Sequence, residues 1–307
     1  KYNYWSIFCP TTGAKVRFSL EAGKPPITEL PKKSFAPELV DVKITDFCPF
    51  GCKYCYQSST TAGVHCENVW SLAHALGRLK VFEVAIGGGE PTLHPDFTSI
   101  LTTFREHGIV PNFTTKNIQW LHDPITRDSV LAAAGAFAVS VENRQQIQRL
   151  VETLNYYKVD KKRCNLHMVM GVIPSHELFY MLLEADKNDL RTTLLGYKNV
   201  GFGENVTPQR YNEWLPTVLR MHADNKLGDI SIDTVLAAQF EKELEASGLS
   251  PLLYHTQDGK FSCYVDWVKQ TIGPSSYCDE SEMKPIDYRT LNGADLADRI
   301  VDLFAAF

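Results

Sequence analysis

The chain has 307 residues, room for one large domain or for one domain with a small appendage. It is 44% apolar and 22% charged, an ordinary globular composition with enough apolar surface for a real core. The net charge is −5 with no run of Lys or Arg, and no apolar stretch nears the roughly 20 residues of a membrane span, so nothing points to nucleic acid or a membrane as a partner.

In chain order, an aromatic-rich run from Tyr4 to Phe8, a turn at Pro10–Gly13 and a second run from Lys15 to Leu20 predict a hairpin. A connector follows, with prolines at 25, 26, 31 and 37. From Leu39 the pattern alternates. Strands are predicted over 39–44, 82–86, 109–114, 136–141, 165–172 and 190–195. Helices are predicted over 68–80, 95–107, 124–134, 145–157 and 175–187, the last with Ser175 as N-cap. Six strands alternating with helices predict a parallel sheet under covering helices, too few to close an eight-stranded barrel. The expected fold class is α/β, a partial (β/α)6 TIM-like barrel. Beyond Gly203 the pattern predicts a helix over 207–226 kinked at Pro216, a strand over 230–232 and a helix over 234–246. A hairpin whose strands 252–256 and 260–265 flank Asp258–Gly259 follows, then a final helix over 294–304. The expected parts are therefore an N-terminal hairpin and linker over 1–38, a barrel core over 39–203 and a small C-terminal α+β module over 204–307.

Eight cysteines, at 9, 48, 52, 55, 66, 164, 263 and 278, are too thinly spread for a disulfide scaffold. Cys48, Cys52 and Cys55 crowd into eight residues, which indicates metal ligation, and thiolate ligands imply a reducing, cytoplasmic location. They lie just after the first barrel strand, and parallel α/β folds build their sites at the carboxyl ends of strands. Three thiolates can hold three irons of a cubane and leave the fourth iron open to a ligand, where four cysteines make a closed electron carrier. Gly51 lets the backbone bend between them. A zinc site completed by His65 or Cys66, or a buried structural trio, would use the same residues. Cys9 and Cys164 read as buried small apolar residues.

Cys-x3-Cys-x2-Cys with Tyr54 before its third cysteine resembles the signature of the radical S-adenosylmethionine (SAM) superfamily. Gly87-Gly88-Gly89-Glu90-Pro91, after the second barrel strand, is similar to that superfamily's glycine-rich SAM motif. Glycines let backbone carbonyls approach the methionine ammonium, and Glu90 can add a charge-assisted contact. The resemblance covers residues 39–197 and implies a 4Fe–4S cluster on Cys48, Cys52 and Cys55, with SAM on its open iron. It further places Tyr54, Gly88, Gly89, Glu90, Thr115, Ser140, Asn143, Met170 and Tyr197 around SAM. What it implies chemically is reductive cleavage of SAM to methionine and a 5′-deoxyadenosyl radical, which takes hydrogen from an unreactive C–H bond. An external one-electron donor is implied.

In the tail, nine residues separate Cys263 from Gly273 and four separate Gly273 from Cys278. This resembles the opening half of the SPASM or twitch auxiliary-cluster module of peptide-modifying family members, but no cysteine follows Cys278. Three readings stay open: a second cluster with unusual ligands such as Asp279, a degenerate module, or structural cysteines. The module's resemblance implies a ribosomally made peptide as substrate, undergoing epimerisation, cross-linking or backbone excision. The 38 residues before the barrel are too few for a winged-helix peptide-recognition domain, so a separate recognition protein is expected, or else pairing of the peptide with the hairpin edge. The alternatives are a small-molecule radical SAM enzyme, anchored by strand-end residues such as Lys116, Arg144, His167, Lys198 and Glu204, a glycyl-radical activating enzyme, or a non-enzymatic iron–sulfur scaffold.

Overall fold

Alternation along Leu39-Val40-Asp41-Val42-Lys43-Ile44-Thr45 shows how the sheet is built. Val40, Val42 and Ile44 are fully buried towards the helices, and Asp41 and Lys43 face a central cavity. The computed structural model describes residues 4–18, 32–209, 215, 218, 221–222, 224, 227–246, 254–291 and 293–307.

β1 (Trp5–Phe8) and β2 (Lys15–Phe18) form the expected hairpin as a separate two-stranded sheet. Its inner side is tied to the start of the barrel by Glu38, which accepts from Ser6 Oγ (2.7 Å) and Arg17 Nη2 (2.5 Å) and lies 2.9 Å from Lys15 Nζ. Trp5, Ile7 and Val16 are left exposed. Cys9 sits half-buried beside the turn, not in a core as expected, because the hairpin lies outside the barrel's apolar layers.

The main sheet carries the predicted parallel strands in chain order: β3 (Leu39–Thr45), β4 (Glu83–Gly88), β5 (Val110–Thr115), β6 (Phe137–Ser140), β7 (Cys164–Val169) and β8 (Arg191–Leu195). β9 (Ile230–Ile232) extends it beside β8, and β10 (Ser262–Asp266) pairs parallel to β3. β11 (Thr271–Gly273) and β12 (Lys284–Pro285) follow antiparallel. The sheet ends, β12 and β9, do not pair among the described residues, so the barrel is partial.

Helices α1 (Val69–Arg78), α2 (Phe97–Glu106), α3 (Pro124–Ala133), α4 (Arg144–Tyr156) and α5 (Ser175–Lys187) pack on the outer face. α1 buries Val69, Leu72, Ala73 and Leu76, and α4 buries Ile147, Leu150, Val151 and Leu154, each an i, i+3, i+4, i+7 stripe. Each fully buried Leu or Ile contributes about 1.5–3 kcal/mol, which holds the helices to the sheet. Asp123 caps α3 by accepting from Thr126 N at 2.8 Å, with Pro124 opening the helix. Ser175 is the first helical residue of α5; Pro174 takes the cap position, with no side-chain bond.

The tail departs from expectation. Its helix over 234–246 breaks at Phe240 into α6 (Thr234–Gln239) and α7 (Glu241–Ala246). The last helix, α8 (Gly293–Ala306), forms as expected. Residues 207–209 are irregular, and most of the helix expected over 207–226 lies outside the described residues. Asp258–Gly259 does turn, with Gly259 at φ +72°, but 254–257 are irregular and 251–253 lie outside the described residues. The antiparallel pair is instead β10 with β11. β3 occupies one edge of β10 along all five of its residues, leaving the other edge for β11. Lys43, 3.2 Å from Asp266 and also paired with Asp46, locks β3 to β10.

Candidate functional site

A cavity of about 400 Å³ opens where the parallel strands end. Cys48, Cys52 and Cys55 line it from the loop after β3. That loop is pinned by Cys48 N to Thr60 O (2.9 Å) and Asp46 N to Val64 O (2.8 Å). All eight cysteines are free thiols.

The glycine stretch is stitched directly to this loop. Gly89 N donates to Thr45 O at 2.6 Å and Glu90 N to Phe47 O at 2.8 Å. A Cβ on Gly89 would sit 2.2 Å from Phe47 O, and one on Gly88, at φ +125°, 2.3 Å from Thr45 O. The glycines are thus required by the cysteine loop's own backbone. Glu90 is 1% exposed. Its carboxylate accepts from Thr115 Oγ1 (2.5 Å), Thr92 Oγ1 (2.6 Å), Lys116 N (2.9 Å) and Thr92 N (3.2 Å), tying the ends of β4 and β5 together.

Across the mouth, Lys116 Nζ donates to Glu142 Oε1 at 2.6 Å and to Cys52 Sγ at 3.4 Å, and Tyr54 OH donates to the same Glu142 oxygen. Burial alone would lower the Lys116 pKa, but Glu142 and Cys52 hold it above its ordinary value. Burial would raise Glu142, and its bonds from Lys116 and Tyr54 bring it below the usual carboxylate range. The result is a fixed ammonium beside a cysteine sulfur.

Of the residues expected around SAM, Tyr54, Gly88, Gly89, Glu90, Thr115, Ser140 and Tyr197 line this one cavity. Tyr197 OH also donates to Gly203 O at 2.6 Å. Asn143 and Met170 lie elsewhere: Asn143 caps α4 by accepting from Gln146 N at 3.0 Å, and Met170 is buried in the core. Lys116, His167 and Lys198 reach the cavity; Arg144 pairs with Glu177 on the surface, and Glu204 is exposed. Asp41, Tyr56, Asp233 and Tyr264 also line it, unforeseen from the sequence. For Asp41 a signal existed, as the polar position alternating with Val40 and Val42.

The zinc alternative loses its fourth ligand. Cys66 is buried against His94, its thiol pushed up to about 12 by burial, and His65 Nδ1 sits 2.8 Å from Thr45 Oγ1. Cys263 and Cys278 do not converge either. Gly273 pairs with Tyr264 and so shares its cavity-facing side, and Cys278 Sγ lies 3.0 Å from where a Gly273 Cβ would stand. Cys263 precedes Tyr264 in the strand, faces the opposite way and is 1% exposed in the apolar core. The pair provides no shared ligand set for a second cluster.

Residues 42–142 match the radical SAM superfamily. That stretch carries the superfamily's domain. GTP 3′,8-cyclase of Edwardsiella ictaluri is 30% identical over 114 residues, 34% of this chain and 35% of that protein. Mycofactocin maturase MftC of Mycobacterium tuberculosis is 30% identical over 95 residues, 30% of this chain and 24% of that protein. The chain thus spans about a third or less of the length of the curated relatives it matches. In fold it resembles Streptococcus suis SuiB bound to precursor peptide SuiA, with TM-score 0.67 and 14% identity over 89% of this chain and 67% of that one.

Radical SAM proteins use a 4Fe–4S cluster and SAM, and the donor set here fits them. Among the described residues no three His, Cys, Asp or Glu side chains gather closely enough for a single metal ion. A cubane instead spreads its thiolates over three separate irons, and three free thiols share one cavity wall beside the glycine stretch.

Proposed function

We propose that this chain is a radical SAM enzyme that modifies a peptide. Cys48, Cys52 and Cys55 would hold the cluster, and Tyr54, Gly88, Gly89, Glu90, Thr115, Ser140 and Tyr197 would face SAM. When bound, the two cofactors supply a carbon-centred radical able to take hydrogen from an unreactive C–H bond. The chain's own residues position them: the Glu90 main-chain N–H ties the glycine stretch to the cysteine loop, and Lys116 holds positive charge beside Cys52. An external one-electron donor and a cytoplasmic setting, in keeping with eight free thiols, belong to this reading. No described helix is long and apolar enough to cross a membrane.

The observation that favours a peptide over a nucleotide is the charge of the cavity. Among the described residues its walls carry three lysines, Lys43, Lys116 and Lys198, against three carboxylates, Asp41, Glu90 and Asp233, and no arginine. Lys43 is paired with Asp46 and Asp266, and Lys116 with Glu142. A triphosphate calls for a surplus of uncommitted cations, and a neutral peptide segment does not. The mycofactocin maturase relative and the likeness in fold to a protein solved with a precursor peptide support the same class.

Replacing Cys48, Cys52 and Cys55 together by Ala tests the reading. On anaerobic reconstitution, iron should fall from about four per chain to near zero, and SAM cleavage should vanish. SAM cleavage that survives the triple substitution would overturn it.

A further inference from the structure

Part of the cavity is lined by titratable side chains that the cofactor reading leaves unused. Asp41 comes from β3, His167 from β7 and Lys198 from the loop after β8, so they enter the lumen from two strands and a loop. Neither Asp41 nor His167 has a side-chain hydrogen bond among the described residues, and both are half-buried where they face the lumen. Lys198 Nζ donates to Ser276 Oγ at 3.2 Å and lies over the rings of Tyr56 (4.2 Å) and Tyr277 (5.1 Å). No described carboxylate is within salt-bridge distance of it. The other nearby carboxylates are committed: Asp233 accepts from Gly196 N (2.9 Å) and Leu236 N (2.8 Å), and Asp258 accepts from Tyr277 OH.

The lumen therefore holds an acceptor with no donor, a cation with no direct counter-ion and an imidazole with both nitrogens free. Burial lifts Asp41 to about 6, and burial with the Lys198 charge lowers His167 to about 4. At neutral pH the carboxylate is chiefly ionised and the imidazole neutral. Polar capacity that is half-buried and has no protein partner is left for water or a ligand to complete. A bare ammonium would meet Lys198 as a like charge, and a bare carboxylate would meet Asp41. A neutral group carrying one donor and one acceptor suits both.

We propose that Asp41, His167 and Lys198 anchor a backbone amide of the peptide substrate, Asp41 accepting from its N–H and Lys198 donating to its carbonyl, with His167 bonding the adjoining peptide unit. This rests on the peptide reading above and names the group recognised.

Ligand-observed NMR on anaerobically reconstituted protein with SAM present tests it, with N-acetyl amino-acid N-methylamides as probes and guanosine triphosphate as competitor. The capped amides should bind, and Asp41→Asn and Lys198→Met should each weaken them about tenfold or more. Lys198→Arg should recover part of that loss, and with Asp41→Asn it carries the test if Lys198→Met fails to fold. Three outcomes would overturn the anchor: no capped amide binding to SAM-loaded wild type, amide binding indifferent to all three substitutions, or guanosine triphosphate taking the site through Asp41. Wild type that cleaves SAM but binds no amide fails the anchor alone. Wild type that cannot cleave SAM fails the reading beneath it.

Discussion

Two walls of one cavity are made by different means. The cysteine and glycine wall comes from two short continuous segments, 46–57 and 87–90, held together by main-chain hydrogen bonds and by contacts that admit no Cβ. The second wall is gathered from residues as far apart in sequence as Asp41, His167, Lys198, Asp233 and Tyr264, and within it Asp41 and Lys198 have no direct charged partner. The first wall is rigid and already satisfied, as a cofactor platform needs. The second is left to be completed by whatever binds.

The comparison can be broken hardest at Gly89. Gly89→Ala must push the Phe47 carbonyl away, at a cost of about 3 kcal/mol, and displace the cysteine loop with it. Iron loading after reconstitution should fall below about half of wild type; normal loading would show that the two segments are not coupled as the contacts indicate. Glu90→Gln comes next. It turns a donor towards the hydroxyl and amide groups that now share the carboxylate and should lower stability by about 2 kcal/mol, read as a shift in the urea midpoint at constant slope.

The smallest effect belongs to the second wall and is one of sign. Asp41 titrates near 6 in the folded protein against an ordinary 3.8, so the native state holds the proton more tightly and stability falls as pH rises through that interval. His167 titrates near 4 against 6.5, so stability rises with pH over nearly the same interval. In wild type the two slopes oppose. Asp41→Asn should leave a rising profile between pH 4.5 and 6.5, and His167→Gln a falling one, in urea midpoints measured at stepped pH.

These differences also mark what was legible in the sequence. The parallel core was readable because each strand and helix carries its own period, and the cofactor wall because its residues are neighbours in the chain. Lys116, His167 and Lys198 could be placed at or near strand ends, but nothing local distinguished them from Arg144 or Glu204, which stay outside. Asp233 and Tyr264 join the cavity only because β9 and β10 extend the sheet at either side, a long-range pairing that carries no local mark. The spacing from Cys263 through Gly273 to Cys278 suggested a shared metal site, yet the one-residue alternation of β10 turns Cys263 towards the helices. Spacing along a chain says which residues can be near, and strand phase decides which face one another.

The pairing of β10 with β3 has a consequence in time. Leu39 is partnered by Ser262, more than two hundred positions later in the chain. At about 5–20 residues per second, a ribosome needs on the order of ten seconds to most of a minute to make that partner. Until then this edge of β3 has no strand to pair with, and Tyr264 and Ser276, which line the cavity beside the cysteine loop, are not yet made. The last wall of the cavity is thus the last part of the site to be made.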